Sequence, residues 1–169
     1  MKLLILDLDG TIRKPKPGKG FIDKPDDQEP IDRAFPAIKR YQKNGWEIYG
    51  CTNQGGVVAG FKSLEDCLDE QYKTLTLFPQ MKAVYLCPDK GSTCWRVDAW
   101  NRQKYGRSKY SYRKPGIGML KAIVEDFQEN GGEKPEKVLM VGDMETDRQA
   151  AIAAGIGFMW ADRWRNTNL

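Results

Sequence analysis

The sequence contains no histidine among its 169 residues. This absence excludes Ser-His-Asp and Cys-His nucleophilic catalysis, phosphohistidine chemistry and every metal site that needs an imidazole ligand. Any reaction at this chain must therefore use carboxylates, hydroxyls, lysine, cysteine or a metal ion held by other groups.

Long apolar runs are absent as well. No stretch approaches the roughly 20 apolar residues that a membrane-spanning helix needs. Only four apolar residues separate Lys2 from Asp7, which is too few for the hydrophobic region of a signal peptide. We therefore expect a cytoplasmic protein with no membrane association.

Cysteine is scarce, with four residues at Cys51, Cys67, Cys87 and Cys94. In a cytoplasmic chain of this length they do not form a disulfide framework, and we expect Cys51 and Cys67 in the hydrophobic core. The length suits one domain over residues 1–169 whose core needs no cross-links. The formal net charge of +4 is modest, so the distribution of the charges is more informative than their sum.

Residues 3–12 begin as an apolar run and end in polar residues. Apolar side chains on both faces are typical of a fully buried parallel strand. Asp7 and Asp9 follow at the carboxyl end, where open α/β sheets bind ligands, and a side-chain period of two places both carboxylates on one side. Two carboxylates that face one space favour a hard divalent cation, with one carboxylate free for chemistry. The alternative is an ordinary surface turn, because Asp-Gly is a common turn pair.

Helical and strand patterns alternate along the rest of the chain. We predict helices at about 31–44, 63–78, 116–130 and 146–154, and strands at about 46–51, 83–86, 138–141 and from 158. This alternation predicts a doubly wound α/β fold with a mainly parallel sheet flanked by helices. Such a sheet brings the polar residues after three strands to one edge, namely Asp7/Asp9, Thr52/Asn53 and Asp143/Asp147. Lys114 precedes the helix that leads to the fourth strand.

Four ordered motifs make the sequence similar to the haloacid dehalogenase (HAD) superfamily. They are Asp7-Leu8-Asp9-Gly10-Thr11, Thr52-Asn53, Lys114, and Gly142-Asp143-Met144-Glu145-Thr146-Asp147. The resemblance covers nearly the whole chain and implies a Rossmann-like HAD fold. It also implies a phosphatase, because the dehalogenase relatives lack an acid at the position of Asp9 and the transport ATPases carry threonine there.

The resemblance assigns a role to each motif residue. Asp7 would be the nucleophile that forms an aspartyl-phosphate, and Asp9 would protonate the leaving oxygen and later activate water. Mg²⁺ would be held by Asp7, by Asp143 and by the backbone carbonyl of Asp9, and Asp147 would support the metal shell or Lys114.

The substrate phosphate would be bound by Gly10, Thr11, Thr52, Asn53 and Arg113, and Lys114 would neutralise charge in the transition state. Taken one at a time, these residues have ordinary explanations. Thr52-Asn53 fits a strand-to-turn pair, Lys114 a surface lysine, and Asp147 an acid in the first turn of a helix.

Three local sequences resemble a branch of this superfamily without a cap domain. Thr52-Asn53-Gln54-Gly55, Arg113-Lys114-Pro115 and Cys87-Pro88 are like histidinol-phosphate and heptose-bisphosphate phosphatases, and the first two are shared by the phosphatase domain of polynucleotide kinase-phosphatase. The segments between the motifs are too short for a folded cap. We therefore expect no separate cap domain.

The sugar- and histidinol-phosphate members of this branch carry a zinc loop with Cys and His ligands. Here Asp89 stands where a histidine is expected, and no second cysteine pair follows Cys87 and Cys94. Because a structural zinc needs four ligands, usually Cys or His, we do not expect structural Zn²⁺. Whether Cys87 and Cys94 form a disulfide stays open.

Residues 88–113 form an irregular insertion that interleaves basic and aromatic side chains, most densely at 95–113. Cations contact phosphates and flat rings stack on unpaired bases, so this composition suits a single-stranded nucleic-acid end. We expect the insertion to rim the site of Asp7, with the exposed basic loop 13–19 nearby. The alternatives are an ordinary loop with solvated cations, and an Arg113 that binds a distal group of a small phosphorylated substrate.

These patterns lead to one main hypothesis and two alternatives. The main hypothesis is an Mg²⁺-dependent polynucleotide-end (3′-)phosphatase. The alternatives are a small-molecule phosphatase of the histidinol-phosphate or sugar-phosphate type, and a catalytically idle module that binds nucleic-acid ends. No Gly-x-x-x-x-Gly-Lys loop occurs, so we expect no kinase activity in this chain. The expected partner is a phosphorylated substrate, a nucleic-acid end in the main hypothesis, and the expected state is a monomer or a weak dimer.

Overall fold

A computed structural model describes residues 1–168 of the chain. Its strands are β1 (Lys2–Leu6), β2 (Arg13–Pro15), β3 (Gln28–Pro30), β4 (Trp46–Asn53), β5 (Met81–Cys87), β6 (Cys94–Val97), β7 (Arg102–Tyr105), β8 (Lys137–Gly142) and β9 (Gly157–Trp160). Its helices are α1 (Ala34–Lys43), α2 (Leu64–Leu77), α3 (Gly118–Gly131), α4 (Glu145–Ala153) and α5 (Ala161–Asn166).

Strand β1 lies near the centre of a seven-stranded sheet with the strand order β7-β6-β5-β4-β1-β8-β9. It pairs in parallel with β4 on one side and β8 on the other, so that Ile5 lies beside Tyr49 and Met140. Its four central side chains, Leu3 to Leu6, are fully buried, as expected for a strand covered on both faces. The predicted doubly wound, mainly parallel sheet is confirmed.

Successive side chains of β1 belong to two different hydrophobic cores, because they point to opposite faces of the sheet. Leu4 and Leu6 pack against the layer formed by α1, α2 and α5, whereas Leu3 and Ile5 pack against the layer formed by α3 and α4. Helix α5 was not predicted from the sequence. It contributes the fully buried Trp164 to the first core.

Local backbone chemistry sets the helix boundaries. Helix α1 begins at Ala34, later than predicted, because Arg33 has a left-handed φ of 65°. Pro36 lies in the first turn of α1, where a missing N–H breaks no helical hydrogen bond. Helix α2 is capped as predicted, since the Ser63 hydroxyl accepts the N–H of Asp66 at 3.0 Å. Within residues 1–168, no helix combines the length and the apolar character that crossing a membrane requires.

The segment predicted to be irregular, 88–113, contains a β-hairpin instead. Strands β6 and β7 pair antiparallel with each other, and β6 pairs antiparallel with β5, which extends the sheet at one edge. The turn is held by Asp98, whose Oδ1 accepts the N–H groups of Trp100 at 2.8 Å and Asn101 at 2.7 Å. Each strand has only four residues, and β7 (Arg102–Tyr105) is mostly polar, so neither shows an apolar alternation long enough to predict a strand. Cationic side chains are typical of edge strands, which they keep from pairing with other chains.

Candidate active site

The carboxyl ends of β1, β4 and β8 converge on a polar cavity of about 380 Å³. The predicted site residues that line it are Asp7, Asp9, Thr52, Asn53, Arg113, Lys114, Asp143 and Asp147. Residues from four distant parts of the sequence therefore meet in one place. Asp9-Gly10 does lie at an exposed turn, and Asp9 also lines the cavity.

Lys114 is the most completely bound side chain of the cavity. Its Nζ donates hydrogen bonds to Asp7 Oδ1 at 2.9 Å, Asp147 Oδ1 at 2.6 Å and the carbonyl of Cys51 at 2.8 Å. These three acceptors use all the hydrogens of an ammonium group. Burial works against the charge of Lys114, but the carboxylates of Asp7 and Asp147 raise its pKa above the ordinary value. The side chain is therefore a fixed, buried cation beside Asp7.

Three carboxylates surround a space suited to a metal ion. Asp7, Asp143 and Asp147 each offer an oxygen, and these oxygens lie within 4.8 Å of one another. Burial raises the pKa of Asp7 to about 7, and burial together with the charge of Asp147 also raises the pKa of Asp143. Burial is the main cause of both shifts, so the ionised form of each carboxylate is disfavoured in the metal-free site. An all-oxygen donor set with excess negative charge fits Mg²⁺.

Asp147 is the most enclosed carboxylate of this cluster, and its hydrogen bonds go to other parts of the protein. Its Oδ1 binds Lys114, and its Oδ2 accepts the N–H of Met144 at 3.0 Å at the start of α4. With only 1% of its surface exposed, Asp147 has both oxygens engaged within the protein. The geometry places it as a support for Lys114, which is one of the two roles that the resemblance implied.

Gly10 and Thr11 occupy positions different from the predicted phosphate-binding ones. The N–H of Gly10 donates to the carbonyl of Arg13 at 2.9 Å, so it is not free for a phosphate oxygen. A Cβ at Gly10, which has a φ of +79°, would lie 2.1 Å from Asp143 Oδ2, so glycine makes room for that carboxylate. Thr11 is fully buried, and its hydroxyl donates to Asp7 Oδ2 at 3.1 Å. Both residues shape the carboxylate cluster from outside the cavity.

Asp9 lines the same cavity as Asp7, but its carboxylate lies outside the three-carboxylate cluster. Strand β1 ends at Leu6, and the following turn directs the Asp9 carboxylate to Arg13 Nε at 2.9 Å and Gln54 Nε2 at 3.0 Å. Burial would raise the pKa of Asp9, but the Arg13 guanidinium outweighs it and holds this pKa below its ordinary value. The carboxylate is thus absent from the three-acid cluster, and its backbone carbonyl is left as the atom that Asp9 could offer a metal.

Asn53 fixes the segment that carries Lys114. Its Nδ2 donates to the carbonyl of Lys114 at 3.0 Å, and its Oδ1 accepts the N–H of Lys114 at 2.9 Å. Thr52, one residue earlier, is buried, and its Oγ1 accepts from Gln54 Nε2 at 2.9 Å. The side chain of Asn53 therefore positions Lys114, a role that sequence reasoning did not assign.

The basic and aromatic insertion reaches the cavity only through Arg113. This exposed side chain lies over Gly55, where a Cβ would come within 3.0 Å of Arg113 NH1. Val97 pairs with Val84 in the middle of β5, so the hairpin runs from the active-site edge towards the opposite end of the sheet. No residue of 95–110 lines the cavity. The expectation that the insertion rims the site is therefore wrong for this segment.

The loop after β5 is closed by a carboxylate. Asp89 Oδ1 accepts the N–H groups of Gly91 and Ser92, both at 2.9 Å, and its Oδ2 accepts the hydroxyl of Thr93 at 2.5 Å. The Cys87 thiol contacts Oδ1 of the same side chain at 3.5 Å. Cys87 and Cys94 are buried free thiols without a disulfide. The position that carries histidine in the zinc-loop relatives thus holds this loop together by hydrogen bonds.

Sequence reasoning missed a buried charged network behind Asp9. Arg13 was assigned to an exposed basic loop, yet it is fully buried and contacts Glu70 of α2. A pattern that could have revealed the network lies in α2. Glu70, Gln71 and Thr74 lie on the same helix face as Cys67. Their spacing is the one that normally places apolar side chains in a hydrophobic core.

The chain has the α/β fold of the HAD superfamily, of the type without a cap domain, and the enzyme class is phosphomonoester hydrolase. The chain belongs to the family described as polynucleotide kinase 3 phosphatase, whose model matches residues 2–164. It is 31% identical over 162 residues to the D-glycero-beta-D-manno-heptose-1,7-bisphosphate 7-phosphatase of Pseudomonas putida, a match that covers 92% of this chain and 79% of that protein.

Other relatives agree with this class. The D-glycero-beta-D-manno-heptose-1,7-bisphosphate 7-phosphatase of Haemophilus ducreyi is 27% identical, with coverage of 92% of this chain and 79% of that protein. A crystal structure of D,D-heptose 1,7-bisphosphate phosphatase from B. bronchiseptica, complexed with magnesium and phosphate, superposes with a TM-score of 0.66 at 26% identity, covering 94% and 79% of the two chains. These names support the alternative hypothesis of a small-molecule sugar phosphatase better than the main hypothesis of a polynucleotide-end phosphatase.

Proposed function

We propose that the chain is an Mg²⁺-dependent phosphatase that forms an aspartyl-phosphate on Asp7 and acts on a small phosphorylated molecule of the sugar-phosphate class. One observation carries the chemistry. Asp7 lies in a polar cavity with its Oδ1 2.9 Å from the buried Nζ of Lys114, and two further carboxylates lie within 4.8 Å. A buried carboxylate fixed by a cation and facing an anion-binding space suits in-line attack on a phosphoryl group.

The reaction would proceed in two steps at the same carboxylate. In the first, an oxygen of Asp7 would form a bond to phosphorus while the bond to the leaving oxygen breaks, and Asp9, kept protonated in the substrate complex by the adjacent phosphoryl charge, would give that oxygen a proton. In the second, the water oxygen would form a bond to phosphorus as the bond between Asp7 and phosphorus breaks, Asp9 would take a proton from that water, and inorganic phosphate would leave. Hydrogen bonds from Lys114 and Thr11 to the two oxygens of Asp7 hold the nucleophile in one orientation throughout.

The metal would be held by Asp7, by Asp143 and by the backbone carbonyl of Asp9. When bound, Mg²⁺ neutralises the charge that the phosphoryl oxygens and these carboxylates share. Asp147 keeps Lys114 in place through the bond of 2.6 Å, so the fixed charge of Lys114 would lie beside the phosphoryl group, and Thr52 lines the same cavity. The magnesium in the B. bronchiseptica relative supports Mg²⁺ as the metal.

The substrate class follows from the relatives and from Arg113. The relatives are named for a bisphosphorylated sugar. Arg113 is exposed at the rim of the cavity, and its guanidinium makes no hydrogen bond to a side chain within residues 1–168. A free guanidinium binds phosphate bidentately. We therefore propose that Arg113 binds a second anionic group of a sugar bisphosphate.

A polynucleotide-end phosphatase is the second candidate, because a larger cavity adjoins Asp9. This cavity of about 570 Å³ has mostly apolar walls that include the exposed rings of Phe21 and Phe61. Exposed rings stack on unpaired bases. The description of the matching family points in the same direction.

Phosphate release from a panel of esters tests both candidates. The panel contains heptose 1,7-bisphosphate, heptose 7-phosphate and oligonucleotides phosphorylated at the 3′ or the 5′ end, each with Mg²⁺ and with a chelator. Wild type should release phosphate only with Mg²⁺, and Asp7→Asn should release none. Turnover by Asp7→Asn at the wild-type rate would refute the proposed chemistry.

Two variants then separate the substrate classes. For a sugar bisphosphate, Arg113→Ala should raise KM for the bisphosphate and leave the monophosphate unchanged, whereas Arg107→Ala, an exposed arginine outside the cavity, should change neither. For a nucleic-acid end, Phe61→Ala should instead weaken turnover of the oligonucleotide. A wild-type preference for the 3′-phosphorylated oligonucleotide over both heptose esters would overturn the sugar assignment.

A further inference from the structure

We infer that Arg13, supported by Glu70 and Lys62, is a positioning residue that fixes the Asp9 carboxylate for proton transfer to the leaving group. This inference rests on the proposed function, in which Asp9 is the proton donor. It adds a role for three residues that lie outside the four motifs of the superfamily.

Every hydrogen of the Arg13 guanidinium has an acceptor. Nε donates to Asp9 Oδ1 at 2.9 Å, and NH2 donates to Asp9 Oδ2 at 3.4 Å and to Glu70 Oε2 at 2.7 Å. NH1 donates to Gln71 Oε1 at 2.9 Å and to Thr74 Oγ1 at 2.6 Å. A guanidinium has five such hydrogens in a rigid planar fork. The two bonds to Asp9 therefore define the plane of its carboxylate.

A second path closes the network into a ring around Asp9. Glu70 Oε1 accepts from Lys62 Nζ at 2.7 Å, and Lys62 Nζ contacts Gln54 Oε1 at 3.2 Å. Gln54 Nε2 then returns to Asp9 Oδ2 at 3.0 Å. Arg13 and Glu70 are at most 1% exposed, and the Lys62 side chain is 9% exposed, so these three members of the ring are shielded from water. Charged hydrogen bonds without competing water hold their geometry strongly.

The ring supports Asp9 from one side and leaves its other side open. The Asp9 side chain is 49% exposed although its partner Arg13 is fully buried. Asp9 lines both the catalytic cavity and the larger cavity beside it. A leaving group that extends from the phosphoryl position into the larger cavity must pass this open face. The ring thus fixes the proton donor where the leaving oxygen emerges.

Arg13 could instead have a purely structural role. The dependence of kcat/KM on the leaving group distinguishes this role from the positioning of Asp9. A proton donor matters for a basic leaving group and little for a weakly basic one. We would compare kcat/KM for ethyl, phenyl and 4-nitrophenyl phosphate in wild type, Arg13→Lys, Glu70→Gln and Lys62→Met. General acid catalysis contributes roughly 100- to 10,000-fold, so we expect Arg13→Lys to lose at least about tenfold more activity on ethyl than on 4-nitrophenyl phosphate.

Arg96→Lys is the matched control. Arg96 is also a largely buried arginine, paired with Asp98 and Asp126, but it lies in β6 away from the cavity. It should lower stability without changing the ratio of activities on the three esters. In an Asp9→Asn background, Arg13→Lys should add little further loss, because both changes remove the same proton transfer.

Equal loss on all three esters in Arg13→Lys would overturn the inference and leave the proposed function intact. If Arg13→Lys does not fold, the same ratio measured in Glu70→Gln and Lys62→Met decides the question in the same way. Failure of wild type to hydrolyse any of the three esters with Mg²⁺ would instead remove the proposed function, together with the inference that rests on it.

Discussion

Asp7→Asn should make the metal-free protein more stable at alkaline pH, although it removes the nucleophile. Asp7 is 6% exposed, and burial raises its pKa from 3.8 to about 7 even with Lys114 beside it. The ionised carboxylate is therefore less favourable in the folded protein than in the unfolded chain. Asparagine has nearly the same shape without the charge, and its amide oxygen can still accept from Lys114 or Thr11.

The size of the effect follows from the pKa values. One pKa unit corresponds to about 1.36 kcal/mol, so the free energy of unfolding gained by removing this charge reaches about 4 kcal/mol as an upper limit. The sign follows from proton binding. Above pH 3.8 the unfolded chain loses the proton of Asp7, whereas the folded protein keeps it up to about pH 7. Stability of the metal-free wild type should therefore fall as pH rises from about 4 to 7 and then level off.

Denaturant unfolding in a chelator at pH 4.5 and pH 8 measures this difference. The two proteins should have similar unfolding free energies at pH 4.5, and Asp7→Asn should be the more stable at pH 8. Added Mg²⁺ should stabilise wild type far more than Asp7→Asn, because the ion binds the folded state through Asp7. Asp98→Asn is the control of opposite sign. Amides of the hairpin turn and Arg96 outweigh burial and lower the pKa of Asp98, so its replacement should cost stability at pH 8. A metal-free Asp7→Asn that is less stable than wild type at pH 8 contradicts the reasoning.

Three other changes test the parts of the site separately. Lys114→Met should lower kcat roughly 100- to 1,000-fold, the scale for losing one fixed group that stabilises transition-state charge, in a steady-state assay with the sugar bisphosphate. Gly10→Ala should weaken activation by Mg²⁺, because a Cβ would lie 2.1 Å from Asp143 Oδ2, and a Mg²⁺ titration of activity measures the shift. Asn53→Ala should reduce kcat about tenfold with little change in KM, since it releases the backbone of Lys114, which Asn53 holds through two hydrogen bonds.

The parts of the fold that follow local rules could be predicted from the sequence. The run of Leu3 to Leu6 leaves no polar face, so only a strand covered on both sides satisfies it, and the structure has this strand near the centre of the sheet. Ser63 and Asp66 fixed the start of α2 because a capping hydroxyl acts over three residues. The convergence of Asp7, Thr52 and Asp143 follows from parallel strands alone.

Features that depend on long-range partners could not be predicted. Arg13 looks like one cation among several in a basic loop, and its burial depends on Glu70, which lies 57 residues further along the chain. The hairpin direction depends on β6 pairing antiparallel with β5, which no local pattern of its residues specifies. Gly10 and Thr11 were assigned to phosphate through their motif, but their atoms are used by Arg13 and Asp7. For Arg13, Gly10 and Thr11, a nearby acceptor within the protein binds the group that the sequence suggested was free for solvent or a ligand.

The carboxylates of Asp7 and Asp9 are bound by residues from opposite sides of the sheet. Asp7 continues the side of β1 that carries Leu3 and Ile5, and its partner Lys114 precedes α3, which packs on that side. Asp9 lies beyond the end of β1 and turns to Arg13, whose other contacts come from α2 on the opposite side. Each carboxylate therefore gains its own electrostatic surroundings, which raise the pKa of Asp7 and lower that of Asp9. The two carboxylates, only two residues apart, therefore face different spaces: Asp7 faces the three-carboxylate cluster, whereas Asp9 also faces the larger cavity beside it.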